Sequence, residues 1–304
     1  MPPHKIPPQH LFIMANTHSS PLRAFYKSAI APLLPETVRF KLRFYSKHGY
    51  WPDLKRPRSL MEKIVWLLRN DRTPLRALVA DRIKVRNFVQ QHAPECKLTA
   101  HLWTGTDFSI KVWDSLPNRF VIKGNHGSQM TAIVNKETCT FESIKTQTDE
   151  WLKTDYSDFF GEWVYATADR TLVVEEWIKT DAVAPPDWKF LCGNGKAILV
   201  QLDLGRFINH RRNLYDRDFK LLRHARIAFP PAEYVFKPEA WDKALAIAEK
   251  LAAPFDFIRV DLYIVGNDIY FGEMTNYPGA GWDALEPKAV DFEMGAKVLL
   301  TSQP

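Results

Sequence analysis

The chain has 304 residues, 46% hydrophobic, 13% aromatic and 25% charged, a balance that excludes global disorder and can bury a large core. Its net charge of +6 suits a phosphorylated or carboxylate-bearing ligand, an anionic membrane surface or nucleic acid, and does not choose among them. Cys96, Cys139 and Cys192 are odd in number and include no C-x-x-C pair, which argues against a disulfide framework or a zinc site and for reduced, cytoplasmic thiols.

No apolar run approaches the roughly 20 residues of a spanning helix, so the chain reads as soluble. The Pro-rich start, MPPHKIPPQH, reads as a loose tail, and Leu11 to Ala15 is too short for the apolar part of a signal peptide. In residues 36–48 two patterns compete. Val38, Phe40, Leu42 and Phe44 alternate with basic residues as in a strand, yet Arg39, Arg43 and Lys47 also share one helical face. Such a basic, aromatic segment fits peripheral contact with a membrane or a polyanion, and a solvated helix face is the plainer reading.

Ser59 and Glu62 form a capping box ahead of Ile64, Val65, Leu67 and Leu68, which predicts a helix from about Leu60 to Arg69. Thr73 before Pro74 starts another, extended or restarted over Asp81 to Gln91. Short strands follow, at Thr99 to Trp103 and Arg119 to Lys123. Lys123 leads into Gly124-Asn125-His126-Gly127-Ser128, a loop able to close backbone N–H groups on phosphate beside a lysine, although no Walker A sequence is present. A plain surface turn is the competing reading, and a loop histidine such as His126 is commonly solvated. Thr140 to Lys153 is an amphipathic helix. The apolar strand TLVVEEWI (171–178) ends in Glu175, Glu176, Trp177 and Ile178, where carboxylates and backbone can meet adenine or ribose or simply face solvent.

WKFLC and AILVQLDL are predicted strands joined by Gly193-Asn194-Gly195, with Lys189 alternating with Leu191. Arg206, His210, Arg211, Arg212 and Asn213 then cluster donors suited to phosphate or carboxylate. Nucleic acid is the competing partner, but no helix-turn-helix, zinc or RNP-like signature accompanies the cluster. After an Ala-rich helix over Pro238 to Ala253 comes FIRVDLYIVGNDIYFGEMTNYPGAG (257–281), a hairpin. A three-residue loop, Gly266-Asn267-Asp268, sets Asp261 opposite Glu273 and Arg259 opposite Thr275, whereas a two-residue turn puts Glu273 on the other face. Facing carboxylates call for something positive between them, and their hard oxygens suit Mg2+ bridging to phosphate; a solvated hairpin edge is the plainer alternative.

Taken in order, these features resemble the ATP-grasp ligases. More closely, SLMEKIVWL (59–67), the Asp81 helix, KGNHGS (123–128), DWKF (187–190), RFINHRRNLYD (206–216) and RVDLY (259–263) resemble the TupA-like ATP-grasp family over roughly residues 55–300. That resemblance implies an α+β ATP-grasp fold with nucleotide held between two sheet-bearing lobes and a helical N-terminal extension. It divides the chain into a basic extension (1–55), a helical lobe (56–115), a small ATP-grasp subdomain (116–180) and a C-terminal subdomain (181–304).

By the same resemblance Lys123, Gly124, His126, Gly127 and Ser128 contact the ATP phosphates, and Glu175, Glu176, Trp177 and Ile178 form the adenine hinge. Asp261, Glu273 and Thr275 hold Mg2+. Lys189, Arg206, Arg212 and Arg259 neutralise the transferred phosphate, and His210, Arg211, Asn213 and Asn276 meet substrate. Arg82, Gln129 and Thr275 depart from the usual lysine, glycine and asparagine. The implied activity is ATP-dependent carboxylate–amine ligation through an acyl phosphate, on a surface polysaccharide or its precursor, in the cytoplasm or at the inner membrane face. Phosphorylation of a sugar hydroxyl is the alternative.

Overall fold

The computed structural model describes residues 34–157, 161–180, 184–205 and 209–301. The chain forms two compact units, divided between Pro52 and Asp53. In the first, the competition between strand and helix resolves to a helix, α1 (Glu36–His48). Phe40, Phe44 and His48 fall four residues apart and their rings meet at 5.9 and 4.1 Å, contacts a helix provides and a strand does not. Gly49, at φ 74, ends the helix by donating its N–H to Tyr45.

The second unit begins with α2 (Leu60–Asn70), capped as predicted: Ser59 Oγ accepts from the Glu62 N–H at 3.1 Å and Glu62 returns the bond at 2.8 Å. After α3 (Pro74–Ala80) the chain breaks at Asp81, whose Oδ1 accepts from the N–H groups of Ile83 and Lys84 and so restarts the helix as α4 (Val85–His92). Next come β1 (His101–Gly105), two residues later than predicted, α5 (Ile110–Ser115), β2 (Arg119–Gly124), β3 (Thr131–Asn135), α6 (Phe141–Lys153), a 3-10 turn (Trp163–Thr167) and β4 (Leu172–Glu176). These four strands make an antiparallel sheet in the order β1-β4-β2-β3. One face, with Phe120, Ile122, Val134 and Val174, packs on Trp113, Ile144 and Trp151.

The larger sheet is built from β5 (Asp187–Gly193), β6 (Lys196–Leu204), β7 (Arg211–Tyr215), β9 (Phe257–Val265) and β10 (Asp268–Thr275), in the order β10-β9-β5-β6-β7, again antiparallel. A small ladder pairs β8 (Arg226–Ile227) with β11 (Leu285–Glu286), and α8 (Lys288–Ala296) follows. The core face carries Trp188, Phe190, Val200, Leu202, Ile258, Val260 and Leu262 against α7 (Trp241–Ala252) and against Phe88 and Val89 of α4. Each fully buried side chain of this size contributes roughly 1.5–3 kcal/mol, so this row fixes which way every strand turns its alternate residues.

Helices packed beside two antiparallel sheets make this an α+β protein. Between β5 and β6 the turn is the two-residue Asn194-Gly195, both at positive φ (46 and 77), the backbone that suits a tight hairpin. The β9–β10 hairpin corrects one expectation in its route and keeps its result. Val265 pairs with Asp268, so the turn has two residues, Gly266 and Asn267, and by itself would send Glu273 to the core face. The register then slips at Gly272, a bulge that returns Glu273 opposite Asp261 and Thr275 opposite Arg259. Only glycine fits there, since a Cβ would lie 2.9 Å from the Asp261 carbonyl oxygen.

Candidate active site

Because residues alternate along a strand, the apolar row on the core face of the large sheet leaves a polar row on the other. Asp187 and Lys189 of β5, Gln201 and Asp203 of β6, Arg212 of β7, Arg259 and Asp261 of β9 and Glu273 and Thr275 of β10 occupy it. Lys189 Nζ bridges Asp187 Oδ2 at 2.5 Å and Asp261 Oδ2 at 2.6 Å, all three buried. Arg259 binds Asp261 through two bonds of 2.6 and 2.7 Å, and its Nη2 reaches Glu273 Oε1 and Thr275 Oγ1, each at 3.0 Å. Burial works against the Arg259 charge, but Asp261 and Glu273 outweigh it and hold the guanidinium protonated. The positive group required between the facing carboxylates is thus an arginine of the same hairpin.

Beyond β5, Arg212 makes a two-point ion pair with Asp203 at 2.6 and 3.1 Å, and Gln201 donates to Asp203 at 3.1 Å. His210 Nε2 lies 3.2 Å from Asp203 Oδ1, its ring stacked on Phe229 at 3.7 Å. Although burial opposes it, the nearby His210 and the bonds from Arg212 hold the Asp203 carboxyl below the usual range.

The small sheet supplies the facing wall. A cavity of about 310 Å3 is lined by Val121, Lys123, Ile133 and Glu175 from one sheet and by Asp187, Asp203 and Tyr263 from the other. Lys123 Nζ meets Glu175 Oε2 at 2.8 Å, and Thr99 Oγ1 donates to the same oxygen at 3.0 Å. Burial favours the neutral acid, but Lys123 and Thr99 prevail and keep Glu175 ionised. Glu176, Trp177 and Ile178 also line this cavity, with the Arg119 guanidinium over the Trp177 ring at 5.0 Å. A narrow cleft of about 20 Å3 shares Thr99, Glu175 and Phe271 with it and adds Arg82, Glu273 and Thr275, so the two walls meet at the hairpin.

Other sequence-selected residues lie elsewhere. Gly124, His126, Gly127 and Ser128 do not line the 310 Å3 cavity. The loop is held from outside instead: Arg82 Nη1 donates to the carbonyls of Gly124 and Gly127 at 2.6 and 2.9 Å, and the Arg82 N–H donates to Asn125 Oδ1 at 2.7 Å. His126 is buried rather than solvated, its Nε2 2.8 Å from the Trp151 carbonyl. In β7, Asn213 faces away from Arg212 and bonds the backbone of Ala232 and Glu233, while Arg211 is exposed. Asn276 is buried against Arg76, accepting at 3.2 Å and donating at 2.9 Å. Arg206 lies outside the described residues.

Asp187, Asp203 and Glu162 escaped selection as site residues. Asp203 carried a signal, since Gln201 and Asp203 alternate with Val200, Leu202 and Leu204 in a strand otherwise apolar. Glu162 carried none: it precedes the 3-10 turn, and burial, then the Glu273 carboxylate, push its carboxyl up to about 8.

Asp261, Glu273 and Thr275 offer oxygen donors only, the chemistry Mg2+ takes. Among the described residues no group of three or more His, Cys, Asp and Glu is arranged to hold a metal. In the structure both Asp261 oxygens, Glu273 Oε1 and Thr275 Oγ1 already meet Arg259 or Lys189, so an ion there would be taken by one or two carboxylates together with substrate phosphates in exchange for those contacts.

Several solved structures are similar at low identity. A D-alanine–D-alanine ligase from Bacillus anthracis is 17% identical, with TM-score 0.44 over 72% of this chain and 64% of that one. The corresponding ligase from Helicobacter pylori is 14% identical, with TM-score 0.43 over 73% and 62%. An N5-carboxyaminoimidazole synthase from Aspergillus clavatus is 13% identical, with TM-score 0.37 over 66% and 44%. The chain therefore spans less than two thirds of the length of each. No curated protein sequence matches. The TupA-like ATPgrasp profile matches residues 62–299, most of the chain and every site residue named above, and the chain belongs to that family.

Proposed function

We propose that the chain is an ATP-dependent carboxylate–amine ligase. The observation that carries this reading is the cavity of about 310 Å3 between two sheets, with Lys123 and Glu175 on one wall and Asp187 and Asp203 of the Lys189–Arg259–Arg212 network on the other. ATP would lie there with its adenine toward Trp177 and Ile178 and its phosphates toward Lys123. A substrate carboxylate attacks the γ-phosphate and gives an acyl phosphate; an amine displaces the phosphate and forms the amide. No protein nucleophile is needed, so catalysis is positioning and charge stabilisation. Lys189, Arg259 and Arg212 hold the transferred anion. Asp261 and Glu273, with Thr275, would hold Mg2+, which when bound neutralises phosphate charge.

The resemblance to surface-polysaccharide enzymes supports a saccharide or its precursor as acceptor and an amino acid or amine as donor. The use of ATP supports a cytoplasmic reaction, and basic α1 suits the inner membrane face. Among the described residues no helix is long and apolar enough to cross a membrane.

The test measures ADP release against a panel of uronic acids and amino acids, with the carboxylate labelled with oxygen-18. Label in the released phosphate is the expected outcome. ADP release with neither free phosphate nor label would replace ligation by phosphorylation of a hydroxyl.

A further inference from the structure

A second cavity, of about 650 Å3, lies beside β7 and is lined by Arg212, Arg223, Arg226 and Glu286 among others. It is about twice the volume of the first and falls within the range of small-molecule sites. Its charge is uneven. Arg226 is paired with Glu286 at 2.5 Å, and Arg212 gives Nε and Nη2 to Asp203 and Nη1 to the Ile227 carbonyl at 3.3 Å. Arg223, exposed at the mouth of the concavity, has no ion-pair or hydrogen-bond partner among the described residues, and the exposed His224 lines the cavity next to it. A guanidinium without a partner in a concave site is a fork suited to two oxygens of one carboxylate or phosphate.

The two cavities share a wall. Asp203 lines the nucleotide cavity, Arg212 lines the second, and the two-point bond between them is the partition. The geometry points to the second cavity as the binding site for an anionic co-substrate, a small molecule bearing a carboxylate or a phosphate ester. Arg223 grips the anion, Arg226 assists by exchanging Glu286 for it, and Arg212 stands between it and the nucleotide. That the anion belongs to a substrate rests on the ligase reading; that the cavity binds it does not.

Calorimetric titration of the full chain with glucose 6-phosphate, glucuronate and inorganic phosphate tests the site, on wild type, Arg223→Gln and Arg223→Gln/Arg226→Gln, with MgATP thermal shifts run in parallel. We expect at least one sugar anion to bind, about tenfold weaker in the double variant and intermediate in the single one, with the MgATP shift unchanged. Preference for glucose 6-phosphate or glucuronate separates a phosphate from a carboxylate ligand. No binding of any probe to the wild type, or equal binding to all three proteins, overturns the proposal. Arg223-dependent binding in a wild type that shows no MgATP shift keeps the cavity and removes the ligase reading.

Discussion

Lys189 and Glu273 belong to one ion network but differ in what their removal costs. Lys189 is buried between two buried carboxylates, so Lys189→Met leaves Asp187 without its 2.5 Å partner and costs about 3–5 kcal/mol, read as a lower denaturant midpoint. Glu273 is 40% exposed, and Glu273→Ala leaves Arg259 paired with Asp261, so stability changes by less than about 1 kcal/mol while ATP turnover falls about 100-fold or more. Unchanged ATP consumption in the folded Glu273→Ala variant would remove the metal assignment. Glu162 makes a pH prediction. Its carboxyl stays protonated in the fold up to about 8, whereas in the unfolded chain it ionises near 4.5. The folded state therefore holds the extra proton between these values, and its stability falls as pH rises across them. Glu162→Gln removes that slope, so between pH 5 and 8 the variant gains on wild type by on the order of a few kcal/mol. Parallel slopes in urea melts at the two pH values would show that Glu162 ionises normally.

At the scale of elements, the hairpin depends on a single extra residue. Gly272→Val brings a side chain against the Asp261 carbonyl and costs about 1–3 kcal/mol, with a smaller MgATP thermal shift because Glu273 and Asp261 move out of register. A wild-type shift in a folded variant would dissociate the bulge from nucleotide binding. Capped or amphipathic helices such as α2, α6 and α7 were legible in the sequence because a cap and a 3.6-residue stripe are local properties. β3 and β7 were not; each is fixed as a strand by pairing with a neighbour, β2 and β6 respectively. Reading 211–213 as one cluster therefore missed that β7 sends Arg212 and Asn213 to opposite faces. For α1, Arg39, Lys41 and Lys47 are exposed. Their replacement by Gln in the full chain is expected to reduce flotation with anionic vesicles, and equal flotation would end the membrane reading.

For the molecule as a whole, nucleotide bound between the two sheets, as proposed, would be coupled to the stability of the second unit. MgATP at about 100 times its Kd adds about 2.7 kcal/mol, or roughly 5–10 °C in Tm, and Lys123→Ala should remove most of that shift. No shift in the wild type would overturn the nucleotide site.

By itself the sequence determined the family, the capped helices and the alternation that places Lys189, Asp203, Arg259 and Asp261 on polar strand faces, because patterns of 3.6 and 2 residues and contiguous motifs are local. Tertiary structure alone decided that Arg259 stands between the carboxylates, that Gly272 restores the register and that Asp187 and Asp203 share a cavity with Glu175. Those outcomes depend on pairing residues dozens of positions apart, which no local pattern encodes.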